Sequence, residues 1–477
     1  MVRPDRDLAY LPLHQLAASS GMSSGMSSGT KSAPGRSGAK TRSDANIWMV
    51  GRGTEASSSN VTRPLVAVGY GPRCVPVMQL AEAAGGLCDL VWMIDASLPE
   101  MAQMADLLNR FGPVVDIGGL DGDGMAKALA HYQPDGLATY LDAGMVAFAG
   151  LAAELGLPFH SAPTATALTD KATQRRVLAG AGLPMPPCEV LAPGASGSRV
   201  AAAAGVVGWP AILKPRSAQG SRYTFLARDA AELDGLLEAL GAGRPEMVLE
   251  GYLADDPARE GDIYAAYVSV ESVVSRGVIS HLALTGRFPL AENFRETGFF
   301  IPAALGADEQ GAVVGLATAA IEALGVRTGC LHTEVKLTSD GPRIIEVNGR
   351  VGGGVPEMIE RAAGVRLLEL TLRLALGEAV VLDGPLATDR IGYRFFLQPP
   401  AVSATVAAIE GVDRVSDHPG VDTISVHQGP GADLDWRDGS RNHIMAVVGS
   451  SADHQELQAV YRLLHQEVTV TYADVRH

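Results

Sequence analysis

The chain has 477 residues, of which 47% are hydrophobic and 19% charged, enough for two to four domains with sizeable cores. Lys and Arg number 38 against 53 Asp and Glu, a formal charge of −15, which argues against a broad nucleic-acid footprint while leaving room for a local anion site. The four cysteines (Cys74, Cys88, Cys188 and Cys330) are far apart, without metal-ligand spacing and too few for a disulfide scaffold. They read as reduced thiols of a cytoplasmic protein, and no run of about 18 apolar residues is long enough to span a membrane.

Residues 1–62 open with mixed charges and a short apolar stretch broken by Pro12, His14 and Gln15, a poor signal peptide. From 19 onward the stretch is rich in Ser, Gly, Thr and Arg, so it is expected to be a disordered tail that buries too little surface to offset its ordering entropy. Asn60-Val-Thr62 spells a glycosylation sequon and nothing more. A rhythm then begins. Leu65–Gly69, Leu90–Ile94, Val114–Ile117 and Gly136–Thr139 read as short buried strands, with helical stretches near 73–85, 99–111, 124–132 and 143–155 between them. That alternation predicts a doubly wound parallel sheet for 63–165. Gly69-Tyr-Gly71 lacks the third glycine of a dinucleotide fingerprint, and Asp121-Gly-Asp-Gly124 is too short for a calcium loop and reads as a turn and helix cap.

Over 166–388 the pattern changes to strands with alternating polar residues, separated by helices. Lys171 opens a helical pattern that ends at Gly182, against dipole preference unless an anion is near. Lys214 ends the apolar strand Ala211-Ile-Leu-Lys-Pro215, where a buried lysine needs a partner. The loop Arg216-Ser-Ala-Gln-Gly-Ser221 that follows offers N–H groups to phosphates, although its single Gly220 makes it a weak cradle. Another apolar strand runs into Glu250-Gly-Tyr-Leu253, whose free backbone suits a purine edge. Gly261-Asp262 precedes an expected strand at 263–270, putting a carboxylate where a sugar hydroxyl would sit, with Glu260 as its neighbour.

The hairpin Cys330–Lys336, turning at Asp340-Gly341 and returning through Arg343–Asn348, carries the most chemistry. Folded about Asp340, it sets Glu334 opposite Glu346, with Asn348 and His332 on the same face. Like charges directly opposite destabilise a strand pair, and a divalent cation between them reverses the sign. Two carboxylates and an amide suit Mg²⁺ completed by water and phosphate. A solvated hairpin face is the plain alternative. Gly349-Arg350-Val-Gly-Gly-Gly354 then lets backbone and Arg350 approach an anion. The last residues, 389–477, mix short strands with Gly/Pro turns and read as a small α+β cap.

In this order the elements resemble the ATP-grasp superfamily over about 63–477, and within it the L-amino-acid ligases. The motifs His332-Thr-Glu-Val-Lys336, Ile345-Glu-Val-Asn-Gly-Arg-Val-Gly-Gly353 and Phe294-Arg-Glu-Thr-Gly298 carry the resemblance. It implies an ATP-grasp fold between a doubly wound α/β domain and an α+β cap. Lys171 and Lys214 would hold ATP phosphates under a lid of Ser217–Ser221 that includes Gly220. Glu250 and the Gly251–Leu253 backbone would read adenine, and Asp262 ribose. Glu334, Glu346 and Asn348 would carry Mg²⁺, with Mn²⁺ as the substitute. Arg350 would stabilise the transferred phosphate, while Glu296, Phe299 and Gly353 would border the substrate. Phe299 replaces a histidine common among relatives. The implied reaction joins a small-molecule carboxylate and an amine through an acyl phosphate, releasing ADP and phosphate, in specialised-metabolite synthesis. No nucleic-acid or membrane partner is expected, and pairing as a homodimer is. Carboxylation, modification of a peptide or carrier, and a non-catalytic nucleotide-binding role are the alternatives; His281, His332 and the C-terminal histidines are expected to be structural.

Overall fold

The computed structural model describes residues 47–50, 63–72, 74–218, 220–259 and 263–476. The first sheet is parallel, in the order Val114–Asp116, Asp89–Ile94, Leu65–Gly69, Gly136–Thr139, with the predicted helices between as Val77–Ala84, Pro99–Leu108 and Gly122–Leu129 and Met145–Leu155 following. Its strands are apolar on both faces because both faces are covered, with Val66, Val68, Leu90 and Trp92 among the residues buried completely or nearly so. Asp121 caps its helix by accepting Gly124 N–H at 2.9 Å, as its spacing predicts.

Most of the 1–62 stretch lies outside the described residues, the sequon with it. Within it Ile47–Val50 forms a strand antiparallel to Ala379–Leu382, a difference from the expected tail that fits its locally apolar Ile-Trp-Met-Val composition.

A four-stranded antiparallel sheet (Cys188–Leu191, Met247–Gly251, Ala211–Pro215, Phe225–Ala227) with helices Ser198–Val207 and Ala230–Leu240 has its own core around Leu213, Leu233 and Leu249. Among the described residues the largest sheet has eight strands and is built on Tyr267–Ser275, Val278–Arg287, Gly329–Thr338 and Gly341–Asn348. The strand expected from Ile263 starts at Tyr267 and runs on to a hairpin at Arg276-Gly277, both with positive φ. Alternation sorts the sheet. Val268, Val270, Leu331, Val335 and Val347 pack with Val313, Ala317 and Ile321 of helix Ala307–Ala323, so their neighbours in sequence face the other way.

The sheet does not stop at residue 388. Ile391–Leu397 pairs with Gly298–Ile301 and with Met445–Ser451, which pairs in turn with Val421–Val426. The C-terminal segment therefore extends this sheet, and adds a three-stranded sheet and helix His454–Glu467 over a core of Phe288, Tyr393 and Phe395. The four cysteines are free. No helix among the described residues is long and apolar enough to cross a membrane.

Candidate functional site

The hairpin register is the one its turn dictates. Glu334 pairs with Glu346 and His332 with Asn348, with a bulge just after Glu334. Beside it, Tyr267–Ser275 sets Glu271 against His332 and Ser269 against Glu334. The polar face thus gathers Glu271, His332, Glu334, Glu346 and Asn348 from three adjacent strands.

Each acid on this face meets a cation or a donor. Lys171 Nζ lies 3.0 Å from Glu346 Oε1 and donates to the carbonyl of Ala218 at 2.8 Å. His332 bridges two acids: Nδ1 is 2.9 Å from Glu271 Oε2, and Nε2 is 3.5 Å from Glu334 Oε1. Burial works against a charged imidazole here, but Glu271 and Glu334 outweigh it and push its pKa up to about 9. Burial likewise opposes ionised Glu334, yet the bond and charge of His332, with Arg287 behind it, hold that carboxyl down at about 2. Glu271 is tied further by Ser269 and Thr285 hydroxyls at 2.8 and 2.7 Å. His332 is therefore no inert core histidine but a linker between the sheet's interior and Glu334. His281, in contrast, sits between Ser272 and Thr318 as a structural residue.

Lys171 is the first residue of helix Lys171–Gly180, capped by Asp170. Four residues on, Arg175 reaches Glu250 through Nε and Nη2 at 3.0 and 3.2 Å, and Lys214 reaches the same carboxylate at 2.8 Å. Burial disfavours this anion, but the two cations overcome it and hold its carboxyl at about 2. The Glu250 side chain anchors strand to helix here; Gly251 closes the strand, with its N–H donated to Pro187 O at 3.0 Å, and Tyr252 N–H goes to Pro210 O at 3.0 Å. Asp262 and Glu260 lie outside the described residues.

The loop after Lys214 is docked, not free. Arg216 is held by Asp170 and Glu246, and Ser221 Oγ donates to the carbonyl of Phe294 at 2.9 Å. Gly220 O accepts Ser440 N–H at 3.0 Å, and Tyr223 N–H reaches Arg437 O at 3.3 Å. Ser440 Oγ also accepts Glu296 N–H at 2.9 Å, so one C-terminal turn touches both the loop and the Phe294–Gly298 motif.

Glu296 points to Arg287, whose Nε lies 2.9 Å away; Arg287 stacks over the rings of Tyr267 and Phe299 at 5.1 and 5.3 Å. Phe299 is buried, and Gly354, at φ +74°, would bring a Cβ within 3.1 Å of its ring. Gly353 has open space where its Cβ would be. Arg350 Nη2 bridges Asp142 Oδ2 at 2.9 Å and Asn348 Oδ1 at 3.4 Å. Lys171 thus joins Glu346 to the loop at Ala218, Lys214 joins Glu250, and Arg350 joins Asn348, while Glu296 and Phe299 form a cluster about Arg287. Among the described residues no three His, Cys, Asp or Glu side chains group as a metal site. The donor set is the predicted one, two carboxylates and an amide, which fits a hard cation that keeps water or phosphate oxygens in its shell.

Sequence reasoning missed Glu271, Arg287, Arg175 and Asp142. The first lies on a strand whose alternation was visible, and its pairing with His332 needed only the neighbouring strand's register.

No family model matches the chain. It is 30% identical over 281 residues to an uncharacterised protein, y4rH, of Sinorhizobium fredii, covering 56% of this chain and 53% of that one. It is 24% identical over 253 residues to dapdiamide A synthase of Enterobacter agglomerans, covering 48% of this chain and 54% of that one. The chain spans about half the length of these curated relatives. Among solved structures it resembles an L-amino acid ligase from Bacillus licheniformis, with a TM-score of 0.68 at 20% identity, over 87% of this chain and 100% of that one.

Proposed function

We propose that this protein, which has the ATP-grasp fold, is an ATP-dependent ligase that activates a carboxylate as an acyl phosphate and joins it to an amine, with release of ADP and phosphate. The observation that carries the reading is the facing pair Glu334 and Glu346, with Asn348 beside it and Lys171, Lys214 and Arg350 around it. Amino acids or related small molecules fit as substrates, in keeping with a peptide-type product.

Glu334, Glu346 and Asn348 would hold Mg²⁺, for which Mn²⁺ is a substitute; when bound, the ion supplies charge neutralisation for phosphate oxygens. Lys171 and Lys214 bind the phosphates. Both already sit in ion pairs, with Glu346 and Glu250, so the site is balanced before nucleotide arrives and the phosphates compete for lysines held in place. The Ser217–Ser221 loop covers them and excludes water, which would hydrolyse the acyl phosphate. The Gly251–Leu253 backbone meets adenine, and Asp262 the ribose. Arg350, held by Asp142, faces the transferred phosphoryl group. Glu296, Phe299 and Gly353 border the acid substrate, Phe299 giving that end an apolar wall.

The test is ADP release from ATP with pooled amino acids and small acids, and mass spectrometry of the products. ADP formation that needs both an acid and an amine supports ligation. AMP formation, or tight ATP binding without turnover, overturns it.

A further inference from the structure

Asp142 lies just beyond the Gly136–Thr139 strand, at the carboxyl end of the parallel sheet. There the strand order reverses. From Leu65–Gly69 the chain moves to one side through Asp89–Ile94 and Val114–Asp116, then returns on the other side as Gly136–Thr139. Crevices at such reversal points are where open α/β sheets take ligands.

The two oxygens of Asp142 are in unequal states. Oδ2 accepts from Arg350 twice, from Nε at 3.2 Å and Nη2 at 2.9 Å. A guanidinium commonly grips a carboxylate with one bond to each oxygen. Here both bonds fall on one, and Oδ1 is buried with no hydrogen-bond partner. It is the only buried carboxylate oxygen in that state among the described residues. Leaving such an acceptor unsatisfied costs on the order of 1–3 kcal/mol, more for a charged group.

The other acids near the site are engaged: Glu346 by Lys171, Glu250 by Arg175 and Lys214, Glu296 by Arg287, and Glu334 beside His332. An amine substrate enters as an ammonium, which Lys171, Lys214 and Arg350 repel and which therefore needs an anion with a free oxygen. Arg350 Nη2 spans Asp142 and Asn348, so the Asp142 carboxylate stands one guanidinium away from the hairpin's amide.

We propose that Asp142 Oδ1 is the docking point for the ammonium group of the amine substrate, an inference that rests on the ligase reading above. The ammonium gives one proton to Oδ1, which releases it to solvent only after the products leave, and the freed lone pair attacks the acyl carbon. The carbon–nitrogen bond forms as the carbon–oxygen bond to phosphate breaks. Phosphate leaves with that electron pair and takes up the second proton that the nitrogen sheds.

Hydroxylamine separates docking from activation, because it is uncharged at neutral pH and traps acyl phosphates as hydroxamates. The full-length protein, with ATP and Mg²⁺, is supplied with each proteinogenic L-amino acid or β-alanine as the acid, and with either hydroxylamine or a second amino acid as the amine. Asp142→Asn keeps an oxygen for Arg350 but loses the charge. It is expected to raise KM for the amino-acid amine by about tenfold or more, the worth of a hydrogen bond to a charged group. The amine KM should rise by about tenfold or more beyond whatever fall in hydroxamate yield the loosened Arg350 brings, and Asp142→Glu should recover part of the amine affinity. Parallel loss of hydroxamate and amide would mean that Asp142 only holds Arg350, and overturns the proposal, as does an unchanged amine KM. If the wild-type protein yields neither ADP nor hydroxamate with any acid, it is the ligase reading itself that fails.

Discussion

Replacing Gly439 by alanine tests whether the docked loop matters to turnover. Gly439 has φ +79° and ψ −160°, a region that only glycine occupies cheaply, and a non-glycine residue held there costs about 1–3 kcal/mol. Its Cβ would lie 2.2 Å from Gly220 O and 3.0 Å from Arg222 N–H nitrogen, both backbone atoms that cannot rotate aside. Relief requires the loop and the turn to separate, which breaks Ser440 N–H to Gly220 O and weakens Tyr223 N–H to Arg437 O. At about 1 kcal/mol net for each bond, plus the conformational cost, docking weakens by roughly 2–4 kcal/mol. The fold's cores are untouched, so the melting temperature should stay within a few degrees while the loop opens. The expected result is a KM for ATP raised by about tenfold or more, and an ADP-to-amide ratio above that of the wild type as water reaches the acyl phosphate. Limited proteolysis should cut the loop faster. A variant with wild-type ATP affinity, wild-type coupling and no added cleavage would refute the argument that this contact seals the site.

Glu346→Ala should abolish amide formation with the circular dichroism spectrum unchanged, because the side chain is partly exposed and fills no core; wild-type activity in that variant would remove the metal assignment. Glu250→Gln leaves Arg175 and Lys214 without their shared anion and should lower stability by about 3–5 kcal/mol in chemical denaturation. The same carboxyl sets a pH dependence. Its pKa falls from 4.5 in the unfolded chain to about 2 in the fold, so its contribution is complete above about 4.5 and is lost as pH drops through 2. Wild-type stability should therefore decline more steeply below pH 4.5 than that of Glu250→Gln, and parallel profiles would contradict the buried anion. Arg287→Lys keeps a charge but not the planar stack on Tyr267 and Phe299, and should weaken the acid substrate's binding more than that of ATP, read as separate KM values.

The parallel sheet was legible because its signal is local. Each strand is a short apolar run, each helix sits between two of them, and the observed bounds differ from the expected ones by a few residues at most. The hairpin was legible for a sharper reason: a turn at Asp340-Gly341 fixes the register by counting, so Glu334 against Glu346 needed no tertiary information. What counting does not give is the identity of the third strand or the partner of a lone charge. Glu271 reaches His332 only because Tyr267–Ser275 pairs with the hairpin, and Asp142 reaches Arg350 across 208 positions of sequence. That gap changes the physics inferred for the site. From sequence, two facing glutamates either point into water or share an added cation. In the fold, Lys171 and the Glu271-supported His332 already compensate them, so repulsion alone does not require a metal. The case for the ion rests instead on the donor set itself: two carboxylates and an amide on one rigid strand pair, within reach of a lysine that can exchange one anion for another.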